Sequence, residues 1–356
     1  MNLETVEKIA KAVLYEGYML YPYRPSSVKN QQRWNFGVLC PRSYSEEQDG
    51  SEAWMMQTEC LVEGTSLTTL EVRVRFLQLV ERSVGELTEA KEPFEDKVPS
   101  YRLVKKLEVK GRVYQPWQEA IEREIAVPPC RLETLGSMSQ TFSFAAAKEF
   151  EYLPNCEGEL IGVLVRERNA LCGQIDVSAA RQANNVFKVT VRVRNTTPFE
   201  AAKAADRGDA LLRSLVSAHT VLGVEDGRFY SMLAPPEDVS RSAAECKNIG
   251  SWPVLVGLQG ECDTVLSSPI ILYDYPQIAP ESAGDLFDGT EIDEILSLRI
   301  LTLTDGEKRE MRQSDERARQ ILERTETMPA EQFIKLHGVL RGLRPVESRF
   351  PREEAP

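Results

Sequence analysis

Two stretches of this chain alternate with a period that an extended strand with one wet face satisfies. In LEVRVRFLQLV (residues 70–80) Leu70, Val72, Val74 and Phe76 alternate with Glu71, Arg73 and Arg75. In FKVTVRVRN (187–195) Phe187, Val189, Val191 and Val193 alternate with polar positions. Successive side chains of a strand point to opposite faces, so the pattern buries one face and wets the other, as antiparallel sheet does. In the first stretch the phase slips at Leu77 and Leu79, where Gln78 becomes the polar position, and a bulge or the end of the regular strand is expected there. Between the two, RLVKKLEVKGRVYQPW, SQTFSFAAAKEFEYL, GELIGVLVRER and CGQIDVSA read as weaker strands; GRFYSML, WPVLVGL and SPIILYDYP follow as further ones.

Helical spacing occupies the two ends and one central segment. Near the N-terminus Leu3, Val6, Ile9, Ala10, Val13 and Leu14 share one face, with Glu4, Glu7, Lys8 and Lys11 opposite, so this reads as an amphipathic core helix stopped near Gly17 rather than a signal peptide. DRGDALLRSLVSAHTVLGV (206–224) reads as one helix. Beyond Thr290, an N-cap for TEIDEILSLRIL, the pair Thr304 and Glu307 forms a capping box, and Ser314 and Pro329 open further helices. The expected fold is α+β: an antiparallel β-rich body with an N-terminal helix and a helical C-terminal part. The expected regions are an α+β segment over 1–128, a β-rich one with a central helix over 129–290, helices over 291–347 and a disordered tail over 348–356.

A net charge of −12 over 356 residues argues against a general nucleic-acid binder, because phosphate contacts need a basic surface. No apolar run approaches the roughly 20 residues that span a bilayer, so no membrane insertion is expected. Seven cysteines at irregular spacing, without an export signal, point to free thiols in a cytoplasmic protein. Cys156 with Cys172, and Cys246 with Cys262, are pairs that strands can bring together.

Motifs for catalysis are sparse. His219 and His337 are the only histidines, there is no G-x-S-x-G elbow, and both read better as a helix-end or packing residue than as a general base. The cysteines contain no C-x-x-C pair, and no phosphate-cradling glycine loop occurs, so neither metal nor cofactor is expected. The acidic run PESAGDLFDGTEIDE holds Glu281, Asp285, Asp288, Glu291, Asp293 and Glu294 without a basic residue. Helix capping with a solvated loop explains it best, then a charged docking surface, then a hard-cation site.

The stretch YEGYMLYPYRPSSVKNQQRWNF (15–36) is aromatic and locally basic in an acidic chain. Tyr, Trp and Arg dominate interface hot spots, so Tyr21, Tyr23, Arg24, Arg33 and Trp34 are candidate partner contacts. The competing reading packs the tyrosines over the N-terminal helix and starts a core strand at Trp34 and Phe36. A single-stranded nucleic-acid platform ranks third.

This segment and SSPIILYDYPQIAPESAGDLFDGTEIDEILSLRILTLTDGEKRE resemble an uncharacterised accessory protein family of actinobacterial-type nickel-iron uptake hydrogenase gene clusters. The resemblance implies a role in making or supporting a hydrogenase and carries over no catalytic residue. Together with the residue inventory it leads to the expectation of a non-catalytic assembly or scaffold protein whose partner is a hydrogenase subunit or maturation factor. The alternative is an enzyme, a hydrolase or ligand-modifying factor, using a cysteine or clustered carboxylates.

Overall fold

A computed structural model describes residues 3–14, 36–88, 98–183, 185–200, 202–277, 300–314, 316–327 and 329. Its centre is one strand, β1, running from Met55 to Leu87. Thirty-three residues at about 3.3 Å each would reach about 110 Å if straight. Two breaks in its pairing, between Gly64 and Thr69 and between Arg75 and Leu77, interrupt it.

Along one edge β1 pairs in turn with β10 (Val186–Asn195), β5 (Trp117–Arg131) and β2 (Tyr101–Leu103). Along the other it pairs with β11 (Val216–Phe229) and β8 (Leu160–Arg168). The sheet extends through β9 (Leu171–Ala183) and β6 (Ser137–Phe144) beside β10, through β7 (Ala147–Pro154) beside β8, and through β13 (Thr264–Ser268) and β12 (Trp252–Leu255) beside β11. All eleven strands pair antiparallel. A separate hairpin joins β3 (Leu107–Val109) to β4 (Arg112–Tyr114) through Lys110 and Gly111, both with positive φ.

The inner face of the sheet holds the main core, where Cys60, Val62, Val72, Val74 and Phe76 of β1 meet Val189, Ile175 and Leu222. The outer face is covered piecewise. Helix α1 (Leu3–Leu14) lays Val6, Ile9, Ala10 and Val13 on Val221, Val254 and Leu266. Leu77 and Leu79 pack instead against Tyr44 of α2 (Arg42–Glu47), Phe199, and Leu211 of α3 (Arg207–Leu211). A fourth helix, α4 (Glu237–Ala244), puts Val239 and Ala243 on Leu61. The phase slip at Leu77 is therefore a change in what covers the outer face. The side chains keep alternating, Gln78 stays inside and fully buried, and the strand continues for eight more residues after Leu79. The irregularity foreseen there lies in the pairing with β11.

Three expectations need correction. The α+β class with a helical C-terminal part gives way to a mainly antiparallel β protein: thirteen strands are present among the described residues, against six helices of at most twelve residues. The weaker strand signals between residues 101 and 183 were strands with partners on both sides or at an edge, and they outweigh the helices. After residue 300 the described helices are α5 (Asp305–Ser314) and α6 (Glu316–Thr327), a short pair linked by ion pairs from Lys308 and Arg312 to Glu326. The segment 206–224 is not one helix: α3 stops at Leu211, and β11 starts at Val216. Its leucines suit a helix, but Val216, Thr220, Val221 and Val224 are β-branched and lie between β1 and β13. SPIILYDYP is not a strand either, since β13 ends at Ser268.

Strand β5 runs through Pro128 and Pro129, where Leu70 faces Cys130 and Val72 faces Val127, so the two prolines occupy a bulge. No described helix is long and apolar enough to cross a membrane.

Candidate binding site

The aromatic segment's Tyr21, Tyr23, Arg24, Arg33 and Trp34, and the acidic run's Asp285, Asp288, Glu291, Asp293 and Glu294, lie outside the described residues, as does His337. What is described is the framework on either side of the aromatic segment. Its two flanks meet at one residue. Ser217 donates its hydroxyl to the carbonyl of Val13, at the end of α1, and its backbone N–H to the carbonyl of Phe36, where the described chain resumes. Ser217 holds a positive φ of 53°, unusual for a residue with a Cβ, at the break in β1–β11 pairing. The extra residues of β11 at this break turn Ser217 toward both flanks.

Gly37 extends the contact. Its N-terminal flank follows β11 through the bond from Ala218 N–H to Gly37 carbonyl, and its backbone lies so close to Pro269 that a Cβ would come within 2.5 Å of the ring. With φ at +54°, glycine is needed here for conformation as well as space. Pro269 starts the segment that carries the most exposed apolar side chains of this end of the sheet. Ile271 is 73% exposed and Tyr273 87% exposed, while Leu272 between them is buried on α1's side of the sheet.

This segment is pinned, so its exposed residues are presented on a fixed backbone. One carboxylate oxygen of Asp274 accepts from Leu255 N–H at 2.8 Å and the other from the Ser231 hydroxyl at 2.5 Å. Tyr275 N–H donates to the carbonyl of Leu255 at 2.7 Å. Tyr275 also has positive φ, 56°, and turns inward against the main core with its hydroxyl 3.6 Å from Cys262 sulfur. Burial, and then the Cys262 contact, push the Tyr275 phenol up to about 12, so it stays protonated. A cleft of about 510 Å³ runs between Gln259 and residues 271–277. Its walls are aromatic and amide groups, and the nearest carboxylate, Asp274, is committed to two structural donors.

Among the candidate nucleophiles Cys40 and Cys60 are buried, Cys156 is exposed, and Cys262 touches Tyr275 of the cleft wall. Burial raises the Cys40 and Cys246 thiols to about 11 and Cys60 further still, and all seven cysteines are free, so neither proposed cysteine pair is bridged. His219 lies under α1 with no exposed surface. Its Nδ1 is 3.0 Å from the Ser217 carbonyl, which can only accept, so the neutral ring carries its proton there and Nε2 is left without a donor. Desolvation lowers its pKa to about 4. Sequence reasoning missed Ile271 and Tyr273 as surface residues because the continuous apolar run of SPIILYDYP reads as a buried strand.

Comparison with models of known protein families and with curated proteins finds no match to this chain.

Proposed function

We propose that the chain is a non-catalytic binding or scaffold protein that engages a protein partner at the end of the sheet bearing Ile271 and Tyr273. The observation that carries this reading is Tyr273, a large aromatic held 87% exposed on a backbone fixed by Asp274, in the segment that begins at Pro269 against Gly37. Exposed aromatics on a rigid support lose little freedom on binding. Tyr21, Tyr23, Arg24, Arg33 and Trp34, from the sequence between the Val13 and Phe36 flanks, are the further partner contacts of this proposal. The resemblance of the two end segments supports a hydrogenase subunit or maturation factor as the partner, inside the cytoplasm. Burial of the Cys40 and Cys60 thiols, which raises their pKa, and the sealed neutral ring of His219 weigh against these three residues as catalytic groups.

Co-purification from the native host tests the reading. Tyr273→Ala and Tyr23→Ala are each expected to weaken partner recovery, with a true hot spot costing about 2 kcal/mol or more, roughly thirtyfold in affinity. Tyr273 is exposed, so its variant keeps the fold. Undiminished recovery of the same partner by both variants rejects the proposed surface.

A further inference from the structure

Beyond Val72, Val74 and Phe76 the inner face of β1 turns polar at Gln78. Gln78 and Arg82 are both buried there, and arginines of β5 and β8 gather around them. Most of these cations are matched. Arg82 pairs with Glu119 at 2.9 Å, and Arg166 pairs with Glu119 and Glu151, both at 2.7 Å. Arg123 is different. Its Nε and one terminal nitrogen donate to the single side-chain oxygen of Gln78, at 3.0 and 2.8 Å, and its guanidinium lies over the Phe144 ring at 4.3 Å. No carboxylate reaches it among the described residues.

Gln78 cannot turn to change this. Its amide nitrogen donates to the Asn169 carbonyl at 2.9 Å, which fixes the oxygen toward Arg123. Asn169 adjoins Arg168, whose guanidinium engages Glu149 through one terminal nitrogen at 2.6 Å and leaves a buried Nε without a partner. The corner thus sets two guanidiniums against one carboxylate, and that carboxylate is 60% exposed. Burial, and then the neighbouring Arg168 cation, lower the Arg123 pKa. A half-buried excess cation is costly unless an anion completes it.

We propose that Arg123 and Arg168 form a binding site for one oxyanion of carboxylate or phosphate type. A guanidinium donates well to such a group, and Arg123 retains a terminal nitrogen not used by Gln78, while Arg168 retains the terminal nitrogen not used by Glu149. The bound group is either a free small anion or an acidic side chain of a polypeptide. Glu149 competes for Arg168 and sets the affinity.

Isothermal titration at constant ionic strength, with the full chain, tests this with three probes: inorganic phosphate, succinate and a short glutamate-containing peptide. Saturable binding of phosphate or succinate is expected for a free anion, and saturable binding of the peptide alone for a polypeptide carboxylate. In either case Arg168→Gln weakens binding by about tenfold or more, and Glu149→Gln, which removes the competitor, tightens it several-fold. Arg123→Gln abolishes binding, and Arg168→Gln serves as the test if the loss of Arg123 disturbs the fold. No saturable binding of any probe, or affinities unchanged in Arg168→Gln and Glu149→Gln, overturns the proposal.

Discussion

His219 is a titratable group wholly removed from water. It is neutral, sealed beneath α1, and faces the Arg75 guanidinium of the neighbouring strand, itself paired with Glu7 of α1 and Glu124 of β5. Its pKa is about 4 in the fold against 6.5 in a free imidazole. As pH falls below 6.5 the unfolded chain takes up a proton that the folded chain refuses until about pH 4, so stability present above 6.5 is lost across that window. Between pH 7 and pH 5 the native protein should lose about 2 kcal/mol more than His219→Leu, read from denaturant melts at both values. Gly173 makes a second prediction at this scale. A Cβ there would come within 2.2 Å of the Phe142 ring, which packs on Phe76 at 5.7 Å. Gly173→Ala is therefore expected to lower stability by about 1–3 kcal/mol in the same melts.

Helix α1 illustrates what could be read from the chain in advance. Its apolar face was legible from the spacing of Val6, Ile9, Ala10 and Val13, and those residues are buried. Ile9→Ala should cost about 3 kcal/mol by removing a contact with the outer face of the sheet, while Lys11→Ala, on the exposed side, should cost less than about 0.5. The capping box at Thr304 was legible too: the Glu307 carboxylate accepts from Thr304 N–H at 2.6 Å and from its hydroxyl at 2.7 Å. Both are local signals. The failures were not local. Residues 212–224 carry leucines at helical spacing, and only pairing to β1 and β13, distant in sequence, makes their second half a strand. Gln78 stood out as a polar position, yet its role with Arg123 and Asn169 depends on β1 and β5 meeting the turn between β8 and β9. The surface at Tyr273 was hidden for the same reason, because exposure depends on where Asp274 is tied.

Across the whole molecule β1 runs from Met55, next to Trp54, to Leu87, and near its far end Arg82 lies opposite Trp117 of β5. Variants retaining only Trp54 or only Trp117 should report the same denaturation midpoint, since both ends share one strand; separated midpoints would show independent units. The partners of that strand also fix when its apolar face can be covered during synthesis. Val62 pairs with Phe187 on one edge and Phe229 on the other. At ribosomal speeds of roughly 5–20 residues per second, its buried row waits on the order of 10–30 s for the second edge to emerge. A nascent chain in that interval presents a long hydrophobic edge, so its yield in cells should depend on the supply of chaperones more than on the stability of the finished sheet.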